Sequence, residues 1–185
     1  MNIINIFDKT IIEFAHSLHN NYKILDLFFS LITNLGESIP LMILTIILIF
    51  IKRTRLCGIN MMASLFISIF IGAIILKPLI ARERPFVDPV YNEYWAAVGK
   101  HLETSFSCPS SHTTASFAVL FPIFLYFNKE YSFIAIVIAL LIGFSRVYLI
   151  VHYPSDVLFG MFIGISVSCI TYLLIKKINK KYLHL

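Results

Sequence analysis

The stretch "GFSRVYLIVHYPSD", residues 143–156, sets Arg146, His152 and Asp156 close together at the end of a long apolar run. Charge in such surroundings is costly unless it is paired or wet, and so it marks function. Pro154 is tolerated in the first turn of a following helix, so Asp156 would open that helix near His152 and accept a hydrogen bond from its ring. That contact would fix the tautomer and free the other ring nitrogen to attack an electrophile. Arg146, in an otherwise apolar helix near its end, needs a partner or a path to water. A phosphate supplies a bidentate partner.

Two other stretches offer matching chemistry. In "KPLIARERP", Lys77 ends an apolar run, with Arg84 and Pro85 seven and eight residues on. Such a lysine also fits simple snorkelling to a membrane interface. In "SFSCPSSHTT", Pro109, Ser110, Ser111 and His112 stand at the entrance to another apolar run. A serine there is first of all a helix N-cap, and His112 fits an interfacial histidine bonded to solvent. The same helix start also turns free backbone N–H groups and a positive dipole end outward, a natural seat for phosphate oxygens.

Elements must bring these stretches together. With 58% hydrophobic and 14% charged residues and a mean hydropathy of +0.84, the 185-residue chain is too apolar for a soluble domain. Spans are expected at roughly 22–36, 38–52, 56–76, 112–127, 131–151 and 156–175, the first two as a tight hairpin through "LGES". In "MNIINIFDKTIIEFAHSLHN", Ile3, Ile4, Phe7, Ile11, Phe14 and Leu18 recur at helical spacing with Asp8, Lys9, Glu13 and His16 between them. That pattern suits a helix lying on the membrane and lacks the marks of a cleaved signal. The expected fold is all-α: a six-transmembrane-helix bundle with an N-terminal amphipathic interfacial helix, one domain over residues 1–185.

Of the 15 basic residues, ten fall inside if the N-terminus is cytoplasmic: Lys9, Lys23, Lys52, Arg53, Arg55, Lys129, Lys176, Lys177, Lys180 and Lys181. Both termini are therefore expected in the cytoplasm, with the three polar stretches on the outer surface. The net charge of +5 suits anionic headgroups and carries no nucleic-acid meaning. Cys57, Cys108 and Cys169 fall at different depths and are read as free thiols, and no metal-ligand spacing is present. His16, His19, His101 and His184 are read as solvated, Arg82 with Glu83 as a surface pair, and Asp26 as a wet helix end. Tyr91, Tyr94 and Trp95 are read as an interfacial aromatic belt.

Together the three stretches resemble the type 2 phosphatidic acid phosphatase family, whose pattern is Lys-x6-Arg-Pro, Pro-Ser-Gly-His, then Ser-Arg-x5-His-x3-Asp. Here the pattern reads Lys77 with Arg84-Pro85, then Pro109-Ser110-Ser111-His112, then Ser145-Arg146 with His152 and Asp156. Ser111 stands where the family usually has glycine, which gives a less open phosphate loop. The resemblance implies a lipid phosphate or diphosphate substrate drawn from the bilayer, and undecaprenyl diphosphate within the bacterial subgroup. Phosphatidylglycerophosphate, phosphatidic acid and lipid A phosphates stay open. It implies His152 as nucleophile through a phosphohistidine, Asp156 as its orienting partner and His112 as acid and then base. Lys77, Arg84, Arg146, Ser110 and Ser111 would hold the phosphate oxygens, with no metal and no cofactor, in a bacterial inner membrane with the site facing outward. A transporter would carry its charges nearer the midplane; a vanadium haloperoxidase, sharing the anion site, would be soluble. A lipid-binding relative without activity would lack the histidines and Asp156.

Overall fold

The computed structural model describes residues 3–182, and no strand occurs among them. The helices are α1 (Ile3–Asn21), α2 (Ile24–Leu35), α3 (Ser38–Phe50), α4 (Arg55–Ile69), α5 (Lys77–Ile80), α6 (Pro89–Ala97), α7 (Ser111–Tyr126), α8 (Lys129–Tyr148) and α9 (Pro154–Tyr182). A π-helical stretch, Phe70–Leu76, joins α4 to α5. His184, expected to be solvated, lies outside the described residues.

Helix α7 is central, packed on α4, α8 and α9, and every residue from Thr113 to Leu120 is buried. Its contact with α9 depends on small residues one turn apart. A Cβ on Gly164 would fall 2.6 Å from the Thr114 carbonyl oxygen, and one on Gly160 would fall 2.9 Å from that of Ser110. Only a bare backbone permits that approach, the device that lets apolar helices associate without a hydrophobic driving force. It sets the first turn of α9, with Asp156, against the first turn of α7, with His112.

By length and composition, three stretches can cross a bilayer: Arg55–Val87, Lys129–Tyr148 and Pro154–Asn179. Helix α7, of 16 residues, is apolar but shorter. The hairpin expected between the first two spans is corrected. Helices α2 and α3 have 12 and 13 residues and meet at a bend of 52°, which redirects the chain without reversing it. Together they have the length and composition of one broken span or a re-entrant loop, so the count of six is not reproduced among the described residues.

The N-terminal helix α1 buries Asp8, Ile12, Ala15 and His19 and exposes Ile3, Ile4, Phe7 and Phe14. Two polar residues, Asp8 and His19, thus face the protein beside Ile12 and Ala15, while four large apolar residues face outward together with Lys9 and Glu13. Asp8 bonds to Ser155 at the start of α9, and His19 bonds to Asp26, which in turn accepts from Tyr148 at the end of α8. Helix α1 therefore lies across the end of the bundle where α8 stops and α9 begins. From there α9 runs away for 29 residues, about 43 Å at helical rise. Helix α1 and the far end of α9 thus lie at opposite ends of the described bundle, whereas the sequence reading places both ends of the chain on one side.

The residues over that end pack inward. Trp95 stacks on Phe86 at 4.7 Å and donates its indole N–H to the His101 carbonyl; Tyr94 stacks on His16 at 3.6 Å. Tyr91 meets the edge of Tyr153. These aromatics form a cap over the loops instead of the expected belt. The histidines read as solvated also have partners: His19 is buried between Asp26 and Lys23, and His101 shares a hydrogen bond with Ser30 Oγ at 3.3 Å.

Candidate active site

The turn after α8 is where local backbone chemistry first shapes the site. The Val151 N–H returns to the Arg146 carbonyl and the Ile150 N–H to that of Val147, a Schellman motif. Its left-handed position, usually glycine, is held by Ile150 at φ 58°. A β-branched residue there is strained, at a cost of about 1–3 kcal/mol. Ile150 is wholly buried in a cluster with Ile12, Phe29, Tyr148 and Leu149, which offsets that cost. The His152 N–H also reaches the Arg146 carbonyl, at 3.2 Å, so the two residues are fixed to one another through the main chain.

His152 is 1% exposed. Arg84 Nη1 lies 3.3 Å from its Nε2, and Ser107 Oγ lies 3.3 Å from its Nδ1. Asp156 Oδ2 is 3.8 Å from Nδ1, too far for the direct bond expected from the sequence. Ser107 bridges the gap: its hydroxyl donates to Asp156 Oδ2 at 2.5 Å and can accept from Nδ1–H. This arrangement places the proton on Nδ1 and leaves the Nε2 lone pair facing Arg84. Burial, aided by Arg84 and Arg146 and opposed by Asp156, pushes the ring's pKa down to about 3, so His152 is neutral at ordinary pH.

Around Nε2 the cations converge. Arg84 donates to the Ser105 carbonyl (2.7 Å), to Ser105 Oγ (3.2 Å) and to the Val151 carbonyl (2.9 Å). Lys77, at the head of α5 beyond the π-helical stretch, donates to the same Ser105 hydroxyl at 2.8 Å. Arg146 donates Nη1 to Thr33 Oγ1 at 2.6 Å and Nη2 to Glu103. Glu103 also accepts from Arg84 Nη2 at 3.3 Å. Two buried guanidiniums thus share one carboxylate with a buried lysine beside them, and Arg146 Nε has no partner among the described residues. Excess buried positive charge is expensive unless an anion completes it.

His112 stands beside this cluster on the first turn of α7, its Nε2 3.1 Å from Glu37 Oε1 at the bend between α2 and α3. A cavity of about 180 Å³ opens there, lined by Gly36, Glu37, Ile69, Gly72, His112 and Ala115. Of the serines before it, Ser110 spends its N–H on the Asp156 carbonyl at 3.2 Å, and its hydroxyl accepts from Thr113. The expectation that the Ser110 backbone holds phosphate is therefore corrected. The N–H groups of Ser111, His112 and Thr113, in the first turn of α7, have no acceptor within the helix.

The eight residues singled out from the sequence thus meet at one end of the bundle. Sequence reasoning missed Glu103, Ser105, Ser107, Glu37 and Thr33, and it misassigned Arg82, which pairs with Asp8 and Asp156. The polar run "ETSFS" before Cys108 was the available signal for three of them.

The PAP2 superfamily profile matches residues 55–180, which include every one of those eight. The chain belongs to that superfamily. Among relatives, an undecaprenyl-diphosphatase from Sulfolobus acidocaldarius is 33% identical over 126 residues, which are 67% of this chain and 58% of that protein. Phosphatidylglycerophosphatase B of Bacillus subtilis is 32% identical over 164 residues, 81% of this chain and 73% of the relative. The crystal structure of a transmembrane PAP2-type phosphatidylglycerolphosphate phosphatase from Bacillus subtilis superposes with a TM-score of 0.72 at 27% identity, covering 98% of this chain and 89% of that one. This PAP2 chain is accordingly an integral membrane protein, and its buried cationic cluster lies within the matched residues.

Proposed function

We propose that this chain hydrolyses a lipid phosphate or diphosphate through a phosphohistidine on His152, at the extracytoplasmic surface of a bacterial inner membrane. The carrying observation is the convergence of Lys77, Arg84 and Arg146 beside the unprotonated Nε2 of His152, with Glu103 shared by the two arginines. In the first step the Nε2 lone pair attacks phosphorus and the bond to the leaving oxygen breaks. His112 gives that oxygen its proton. Lys77, Arg84, Arg146 and the Ser111 N–H hold the nonbridging oxygens as charge moves onto them. Asp156 and Ser107 stabilise the imidazolium that develops. In the second step His112 takes a proton from water as its oxygen attacks phosphorus, and the P–N pair returns to Nε2.

The cavity beside His112 supports a lipidic leaving group, because it lies on the side where the leaving oxygen must receive its proton. Undecaprenyl diphosphate is the first candidate, by likeness to the Sulfolobus relative, and phosphatidylglycerophosphate the second, by likeness to the Bacillus proteins. The outward orientation rests on Lys52, Arg53 and Arg55, which sit with the far end of α9 away from the site. In this topology α1 lies on the outer surface and the C-terminal end of α9 in the cytoplasm.

The test is phosphate release in detergent from undecaprenyl diphosphate, phosphatidylglycerophosphate, phosphatidic acid and lipid A, with EDTA present. One lipid should be preferred, chelation should cost nothing because three side-chain cations supply the positive charge, and His152→Ala should lower turnover by about 10³-fold or more. Equal trace release from all four, unchanged in His152→Ala, would refute the assignment.

A further inference from the structure

The mechanism leaves an ion-pair chain behind Asp156 unused. Asp156 is wholly buried. Its Oδ2 accepts from Ser107 and from the Tyr153 N–H at 3.0 Å, while Oδ1 accepts from Arg82 Nη1 at 2.6 Å. Arg82 is the guanidinium that meets this carboxylate, and a buried carboxylate facing a neutral imidazole needs such a countercharge. Arg82 is itself fixed on every side. Nη2 donates to Asp8 Oδ2 at 2.7 Å, Nη1 donates also to Ser155 Oγ at 2.7 Å, and the guanidinium lies 3.8 Å over the Tyr153 ring. Asp8, 3% exposed on α1, further accepts from the Ser155 N–H at 2.8 Å and the Ser155 hydroxyl at 2.7 Å. A residue of the first helix thereby caps the start of the last one, next to the residue that orients the nucleophile.

We infer that Arg82, held from α1 by Asp8, is a positioning residue that fixes Asp156 against Ser107 and His152, so that α1 belongs to the catalytic unit. The inference rests on the reading of His152 as nucleophile. Arg82 approaches Asp156 through Oδ1 while Ser107 and His152 are reached through Oδ2, so it acts on the reaction through the carboxylate and not on the phosphate. The charged groups that face His152 are Asp156 from α9, Arg84 from the loop after α5 and Arg146 from α8. Lys77 of α5, Glu103 of the long loop and His112 of α7 surround the same anion pocket. Removing Arg82 leaves Asp156 unbalanced and strengthens its pull on the His152 proton.

The experiment compares Arg82→Gln, Arg82→Lys, Asp8→Asn and the Asp8→Asn/Arg82→Gln double variant with the wild type, all full-length in detergent. Arg82→Gln should lower kcat by about 10- to 100-fold, the scale of a lost positioning contact, with KM within about twofold because the phosphate ligands are intact. Arg82→Lys, which can hold one carboxylate but not both, should recover part of the loss. Asp8→Asn should cost kcat several-fold, and nothing further in the Arg82→Gln background, because it acts through Arg82. Independently of turnover, the His152 ring followed by ¹⁵N-histidine NMR, assigned against His152→Ala, should titrate at higher pH in Arg82→Gln. An unchanged kcat, a loss in KM instead, additive losses in the double variant, or an unmoved His152 titration would each overturn the inference. Absence of turnover in the wild type would refute the phosphatase reading alone, since the titration still decides the role of Arg82.

Discussion

On the proposed mechanism, Glu103 sits where the phosphate goes. Its carboxylate accepts from Nη2 of Arg84 at 3.3 Å and from Nη2 of Arg146, and both guanidiniums are 4% exposed. A substrate phosphate has to take over these donors, so Glu103 competes with every phosphate that enters. Hydrogen bonds to charged groups contribute about 1.5–3 kcal/mol each. One of the two here is stretched, and the Glu103 side chain is 24% exposed, which screens it. A net competition of about 1.4 kcal/mol follows, or tenfold in affinity. Glu103→Gln keeps the shape, removes the charge, and leaves an amide oxygen able to satisfy one arginine. Inhibition of turnover by inorganic phosphate or vanadate should therefore tighten by about tenfold in this variant. Glu83→Gln serves as control: Glu83 is exposed at the same outer opening, and its loss should leave the inhibition constant within about twofold. A Ki in Glu103→Gln that is unchanged or weaker would show that the carboxylate does not occupy the phosphate seat.

Two other outcomes follow from the geometry. Because burial holds the His152 pKa near 3, the fraction of neutral nucleophile does not change between pH 5 and pH 8, so the acid limb of kcat/KM against pH should lie below pH 5; an acid limb near pH 6.5 would contradict it. Gly164→Ala places a methyl 2.6 Å from the Thr114 carbonyl oxygen, which cannot yield as a flexible side chain would, so unfolding in detergent should show about 1–3 kcal/mol lost together with turnover; unchanged stability would mean that α7 and α9 are freer to separate than the structure implies.

The chemistry was more legible in the sequence than the architecture. Lys77, Arg84, His112, Arg146, His152 and Asp156 announce themselves because each is a polar group where apolar residues are the rule. Glu103, Ser105 and Ser107 do so only weakly, through the run "ETSFS", since a polar residue in a long loop is what any loop contains. Arg82 was misread for a related reason: its neighbour Glu83 is adjacent in sequence, whereas its partners Asp8 and Asp156 lie 74 residues away on either side. Hydropathy likewise separates α2 from α3 at Gly36 but carries no information on the angle between them, so a 52° bend passed for a hairpin. In helix α1 the spacing picked out Ile3, Ile4, Phe7 and Phe14, which are exposed, but not the burial of Asp8 and His19, whose partners Ser155, Arg82 and Asp26 no local pattern reveals.

The burial of Asp8 on α1 has a physical cause in the site. The buried Asp156 needs a countercharge, and Arg82 supplies it. Helix α1 supplies Asp8, which holds Arg82 from the other side. The outer face, with Ile3, Ile4, Phe7 and Phe14, is then free to meet acyl chains. The positioning of Asp156 and the exposure of the apolar residues of α1 are in this way joined in one helix, which turns Asp8 inward and Ile3, Ile4, Phe7 and Phe14 outward. Weakening the Asp8–Arg82 contact would therefore act at both levels: it would loosen α1 from the bundle and release the carboxylate that holds the nucleophile.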